Sequence, residues 1–173
     1  MGRGHQPFIV CASLVEKSPN LGGLARSCEI FGAESLVVPH PHPSRTLFTD
    51  PAFFSVSMDA ERLLPIHGVP PSGLRDYIRA QRARGWVCVA LEQASRSVVL
   101  GGRGSRALPR RMLLVLGAEK EGLPVDILAE VDVVVEIPQL GVLRSLNVHV
   151  SAALVMWEYV RQGLEGLLAE GGK

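Results

Sequence analysis

Runs rich in β-branched and aliphatic residues alternate along this chain with stretches whose apolar residues recur at helical spacing, and that alternation constrains the fold most. Strands separated by helical crossovers pair in parallel, because each crossover returns the chain to the same end of the sheet. The expectation is therefore an α/β domain on a largely parallel sheet. Phe8–Leu14 reads as the first strand and Pro19–Phe31 as a helix, with Ser18 or Asn20 as its cap and Pro19 tolerated in its first turn. Ser35–Val38 reads as a short strand, and Pro39, His40, Pro41, His42 and Pro43 form a loop, since proline removes ladder donors. A helix over Ser72–Arg84 ending at Gly85, a strand at Trp86–Leu91 and a surface loop over Ser95–Pro109 follow. The pattern ends with a strand at Met112–Gly117, a short helix after Pro124, a strand at Val131–Ile137, and a long helix from about Ser145 that fades by Gly163 or Gly166.

The 173 residues suffice for one domain with a full core, and 47% hydrophobic against 20% charged residues is the balance of a folded chain. No apolar run reaches the roughly 18 residues of a membrane span, and Met1–Pro7 carries no signal-peptide core, so neither a membrane association nor secretion is expected. Cys11, Cys28 and Cys88 show no CxxC pairing and read as small buried residues of a reducing compartment, which places the protein inside the cell, in cytoplasm or nucleus. His40 and His42 stand in a proline loop without further ligands, so no metal is expected.

Charge is unevenly spread. Ser72–Arg111 holds nine arginines against Asp76 and Glu92, a net +7, while the rest of the chain is −6. Such a segment is either a footprint for a polyanion or a solvated helix plus a loop. In Ser145–Val160, eleven of sixteen residues are apolar, more than one buried face requires. That helix is either deeply buried or covered by a second subunit.

Three segments carry chemistry. In Asn20-Leu-Gly-Gly-Leu-Ala-Arg26-Ser27, two glycines in a first turn cost about 0.8–1.0 kcal/mol each relative to alanine. Gly22 and Gly23 lie four and three residues before Arg26, so their bareness leaves room for a phosphate or ribose beside a guanidinium. The alternative is a cap at Asn20 and an Arg26–Glu29 surface pair. In Leu114-Val-Leu-Gly117-Ala-Glu119-Lys-Glu-Gly122, a strand ends in glycine at the edge where parallel sheets take ligands, so a cofactor could rest on the Gly117 backbone. In Ile137-Pro138-Gln-Leu-Gly141-Val-Leu-Arg-Ser145-Leu146-Asn147-Val148, a strand breaks at proline and enters the apolar helix with Ser145 and Asn147 at its mouth. Those two could equally cap the helix and satisfy loop carbonyls.

In this order, N-x-G-x-x-x-R-S, L-G-x-E-x-x-G and I-P-x-x-G-x-x-x-S-L-N-V resemble the motif set of the SpoU/TrmH branch of the SPOUT methyltransferases. The likeness runs from Phe8 to about Arg161. SLNVHVS leading into Trp157-Glu158-Tyr159 most resembles the catalytic domain of eukaryotic tRNA guanosine 2′-O-methyltransferases related to the TAR-RNA-binding methyltransferase. The resemblance implies a SPOUT fold whose C-terminal part forms a deep trefoil knot, and a homodimer. It implies S-adenosylmethionine (SAM) as cofactor, contacted near Leu91, Gly117, Ile137 and Leu146, with S-adenosylhomocysteine as product. Asn20, Arg26, Glu119, Ser145 and Asn147 would form the catalytic centre, Arg26 facing SAM held by the partner subunit. The reaction would be methyl transfer to a ribose 2′-hydroxyl of RNA, a tRNA D-loop guanosine first among targets. A ribosomal RNA target and a non-catalytic RNA-binding module are the rivals. A dinucleotide oxidoreductase lacks its G-x-G-x-x-G after the first strand. The whole chain, 1–173, reads as one catalytic domain with its core at 8–161. Because large eukaryotic relatives carry a helical region ahead of this domain, a catalytic fragment of a longer protein is also expected.

Overall fold

Side-chain alternation along the central strands explains the layering. Phe8, Val10, Leu36, Val38, Leu114 and Leu116 face one side of the sheet, and Ile9, Cys11, Val37, Cys88, Leu113 and Val115 the other, all of them buried. A strand covered on both faces needs apolar residues at every position, as Met112–Leu116 has. In this computed structural model, which describes residues 5–101 and 108–170, the elements run β1 (Gln6–Cys11), α1 (Ser18–Phe31), β2 (Ala33–Val38), α2 (Pro51–Ser57), β3 (Ile66–Gly68) and α3 (Leu74–Ala83). They continue with β4 (Val87–Leu91), β5 (Val98–Val99), β6 (Met112–Leu116), α4 (Val125–Leu128), β7 (Val133–Glu136) and α5 (Val148–Glu170). The seven strands form one parallel sheet in the order β3-β2-β1-β6-β4-β7-β5. Helices α1, α2 and α5 pack on one face, α3 and α4 on the other. The expected α/β class with a parallel sheet is the one found.

Several local expectations differ. Neither α2 nor β3 was anticipated. Asp50 caps α2, its Oδ1 accepting from the Ala52 N–H at 2.8 Å, and Pro51 follows in the first turn. Val98–Val99, expected within a surface loop, is the edge strand of the sheet, and residues 102–107 of that loop lie outside the described residues. Helix α1 is capped by neither Ser18 nor Asn20; Lys17 holds the cap position without a side-chain bond. Helix α5 begins at Val148 rather than near Ser145, and continues through Gly163 and Gly166 to Glu170.

The three cysteines sit buried in β1, α1 and β4. Burial pushes their thiols up, that of Cys88 to about 12, so they are packing residues rather than nucleophiles. Three arginines of the basic segment are matched by acids from outside it. Arg75 pairs with Asp126 at 2.5 Å, Arg79 with Glu130 at 2.5 Å and Arg82 with Asp132 at 2.6 Å, all across from α3 to the α4–β7 segment. Arg111 lies 4.8 Å above the Trp86 ring. Arg103 and Arg106 fall outside the described residues. No helix among the described residues is long and apolar enough to cross a membrane.

Candidate active site

Parallel strands deliver their carboxyl ends to one edge, and the three motifs meet there. The loop after β6 turns back on itself: Ala118 and Gly122 exchange backbone hydrogen bonds at 3.0 and 3.1 Å, with Gly122 at φ +69° closing the turn. This turn carries Glu119 toward the start of α1. Glu119 accepts from the Asn20 amide at 3.1 Å and from the Lys17 and Glu16 backbone N–H groups at 3.3 and 3.5 Å. It therefore fastens the residues that lead into α1, beside the positive end of that helix. Asn20 Oδ1 in turn accepts from the Asn147 amide at 2.9 Å. Asn147 is the N-cap of α5, its Oδ1 accepting from the His149 and Val150 N–H groups at 2.9 and 3.3 Å. Glu119, Asn20 and Asn147, from three distant parts of the chain, thus form one polar chain.

Burial on its own would push the Glu119 carboxyl up. The bonds from Asn20, Lys17 and Glu16 outweigh it and hold the group below the usual carboxylate range. An ionised Glu119 is an acceptor only, so it fixes which end of the Asn20 amide faces Asn147. By the inventory of an amide, each asparagine keeps one N–H for a ligand.

Beside this chain lies a cleft of about 530 Å³ over the ends of β4, β6 and β7. Leu91, Gly117, Ile137 and Leu146 line it, as do Asn20, Glu119, Ser145 and Asn147. The structure brings these eight together. It leaves Arg26 apart, exposed on α1 and outside the cleft lining.

The two glycines of α1 act differently from expectation. A Cβ on Gly22 would stand 2.5 Å from the Phe53 carbonyl oxygen, and one on Gly23 would stand 2.3 Å from the His149 ring. Both glycines are buried and let α1 approach α2 and α5; they clear no space for a ligand. Gly117 lines the cleft, and a Cβ on it would stand 2.6 Å from the Gly122 backbone. Its bareness lets the β6 turn close.

A profile of the SpoU rRNA Methylase family matches residues 7–157. The chain belongs to the SpoU methylase family. It is 45% identical over 96% of its length to the Mus musculus tRNA (guanosine(18)-2′-O)-methyltransferase TARBP1, and 33% identical over 90% to the tRNA (guanosine(18)-2′-O)-methyltransferase of Saccharomyces cerevisiae. It spans about 10% of each of those two proteins. Among solved structures, an AdoMet-bound rRNA methyltransferase from Sinorhizobium meliloti superposes with a TM-score of 0.74 at 26% identity, over 95% of this chain and 59% of that one.

Two features of this SpoU domain escaped the motif reading. Glu92, just past β4, accepts from the Leu123 N–H at 3.0 Å and the Gln93 N–H at 3.1 Å, so it holds the β6 turn from behind. Its only sequence signal was a carboxylate directly after an apolar strand. His149 bonds Ser27 Oγ through Nε2 at 2.8 Å, tying α5 to α1 one residue from Arg26. Burial and then the nearby Arg26 charge hold this imidazole below its usual range, favouring the neutral ring. A histidine two residues after the Asn147 cap was legible, but its partner was not.

Proposed function

We propose that this chain transfers the methyl group of SAM to the ribose 2′-hydroxyl of a tRNA guanosine, leaving S-adenosylhomocysteine. The observation that carries the reading is the Glu119–Asn20–Asn147 chain standing at the mouth of the strand-end cleft, in a family whose mouse and yeast members named above are tRNA (guanosine(18)-2′-O)-methyltransferases. The cleft suits SAM by its chemistry. Leu91, Ile137 and Leu146 offer apolar surface for an adenine, and Glu92, Gln93 and Ser145 offer polar groups for hydroxyls and an amino-acid moiety. Bound there, SAM supplies a methyl already activated on a sulfonium.

The protein's share is alignment and removal of one proton. The oxygen–carbon bond forms as the carbon–sulfur bond breaks, and the hydroxyl proton leaves to a base or to water. The Asn20 and Asn147 N–H groups orient ribose oxygens, and Ser145 closes the same mouth. Arg26 stays protonated, as arginine does in proteins, and its guanidinium clamps the adjacent phosphate and favours the departing proton. The Ser27–His149 bond ties α1 to α5 beside Arg26.

The same reading includes a homodimer in which Arg26 serves the partner's cleft. Its support is the exposed apolar stripe of Val150, Leu154 and Trp157 on α5, with Leu140, Val142 and Leu143 exposed in the preceding loop. It includes the trefoil knot, supported by β7 entering between β4 and β5 so that the connection joining those two strands must pass around it. Residues 1–173, with a core at 8–161, act as one catalytic domain, and flanking parts of a longer protein supply further RNA affinity.

Labelled SAM offered with total tRNA and with total rRNA tests the activity. Expected is 2′-O-methylguanosine in tRNA. Label in rRNA alone would favour the ribosomal target, and SAM binding without transfer to either would favour a binding module.

A further inference from the structure

β1 and β6 are neighbours in the sheet, yet the chain leaves them toward opposite faces, into α1 after β1 and into α4 after β6. Divergence of this kind opens a crevice at the carboxyl ends of the strands, where open α/β sheets take ligands. Here the crevice is a second cavity of about 480 Å³, within the roughly 300–1,000 Å³ of small-molecule sites. Only the Ala118–Gly122 turn separates it from the SAM cleft; Ala118, Glu121 and Gly122 line both. The methyl-transfer chemistry makes no use of it.

Its walls are Leu14, Pro39, Pro41 and Pro71, and the three prolines are rigid apolar surfaces that lose almost no side-chain entropy when a ligand is held against them. The His40–Pro41 wall is anchored by close backbone contact, since a Cβ on Gly68 would stand 2.2 Å from the His40 carbonyl oxygen. Buried Ser13 forms part of the lining, its hydroxyl 3.5 Å from Cys11 Sγ. At the margin stand two carboxylates, Glu16 and Glu121, and neither joins an ion pair among the described residues. The Glu16 backbone N–H is one of those that hold Glu119, so this margin is coupled to the ribose side of the site.

A phosphate is disfavoured between these carboxylates, so the phosphate of a nucleotide held here stays outside the rim in solvent. A flat heterocycle gripped by apolar walls and read along its hydrogen-bonding edge fits, as enzymes read bases taken out of the stack. Carboxylates only accept. Guanine is the base whose Watson–Crick edge carries two adjacent donors, N1–H and N2–H, whereas adenine, cytosine and uracil each present donors on one nitrogen. We propose that the crevice receives the base of the nucleotide whose ribose is methylated, and that Glu16 and Glu121 select guanine there. Its place in the reaction rests on the RNA methyltransferase reading, but occupancy by a guanine does not.

The test titrates the whole chain with guanosine 5′-monophosphate and, separately, cytidine 5′-monophosphate, following backbone amide resonances by NMR. Guanosine monophosphate should shift Ser13, Leu14 and Gly122, with cytidine monophosphate at least tenfold weaker. The double change Glu16→Gln and Glu121→Gln, at two exposed positions, should cut that preference about tenfold, the scale of a lost bond to a charged acceptor. Equal binding of both nucleotides, shifts confined to the SAM cleft, or an unaltered preference in the folded double variant would overturn the proposal whether or not the protein methylates RNA. On tRNA, replacing the methylated guanosine by inosine should slow wild-type transfer and leave the double variant nearly indifferent. If transfer is absent while the nucleotide preference holds, the methyltransferase reading fails and the base site stands.

Discussion

Helices α1 and α3 both present arginines to solvent, and the two sets are in opposite situations. Each of Arg75, Arg79 and Arg82 on α3 ends on a carboxylate of the α4–β7 segment. Arg26 on α1 meets no acid in an ion pair among the described residues, and its near neighbour His149 is held in the neutral form. A run of like charge in a sequence therefore says little about where a polyanion lands, because folding brings in counter-charges from elsewhere. Cations near the polar site without a carboxylate partner among the described residues, such as Arg26 and the cleft-lining Lys17, Lys120 and Arg144, are the better candidates for RNA contact.

The sharpest way to break this contrast is Arg26→Ala. Methyl transfer should fall by about a hundredfold or more, as when one donor to developing charge is removed, while calorimetry finds SAM affinity within a few-fold. Lost SAM binding in a folded variant would mean the arginine serves the cofactor instead.

Next in size is Gly23→Ala, which sets a methyl group against the His149 ring beside Arg26. Overpacking of this kind costs about 1–3 kcal/mol. Denaturant unfolding should register that loss, and the midpoint of Gly23→Ala should recover when His149 is also replaced by a smaller residue. An unchanged midpoint would mean that α5 sits elsewhere on α1.

The dimer face can be probed with similar clarity. Leu154 is 39% exposed and Trp157 52%, whereas Val155 between them is fully buried. Leu154→Glu should therefore halve the mass seen by light scattering without unfolding the protein, and Val155→Glu should unfold it. A fully active monomer would remove both the dimer and an Arg26 acting across it.

Smallest is the expected effect of replacing Arg75, Arg79 and Arg82 together by Ser. Because their charge is already offset and exposed pairs contribute about 0–1 kcal/mol each, RNA affinity should change less than about threefold and the slope of log affinity against log salt should stay put. A slope flattened by two or three units would show that these arginines release counterions after all.

Titration separates the two ends of α1. The Glu119 carboxyl is held low in the folded state, so its contribution to stability is present at neutral pH and disappears as pH falls through and below the ordinary range near about 4.3. His149 is also held low. Above about pH 6.5 it adds nothing, and below that the unfolded chain takes up the proton first, so stability falls earlier. Melting temperature followed downward from pH 8 should show both declines, and His149→Gln should erase the upper one only.

Much of this was legible in the sequence because it depends on local pattern. The apolar strands and the Pro138 break follow from neighbours within a few positions, whereas the residues facing the cleft came from the resemblance of the three motifs to the family's set. What escaped depends on distant ones. Helix α2 announced itself through Asp50-Pro51, but a seven-residue helix between prolines gives too little periodicity to read. Three-residue β3 exists only because β2 pairs with it. The space expected for a phosphate or ribose at Gly22 and Gly23 is taken by Phe53 and His149, partners far away in sequence. Ser145 and Asn147 were equal candidates for a cap until the backbone placed Asn147 one residue before the first turn of α5.

The polar chain through Glu119, Asn20 and Asn147 joins positions 99 and 127 residues apart, and β1 closes against β6 only after about a hundred intervening residues have been placed. Such long closures make folding slow and late. A ribosome releasing this chain would expose α1 and β1 long before Asn147 emerges, so no nascent intermediate can hold a competent centre. Competence would arrive in one late step, when the last helix docks, and a chain truncated before Asn147 would lack both the centre and the Ala152, Val155, Met156 and Tyr159 packing that covers one face of the sheet.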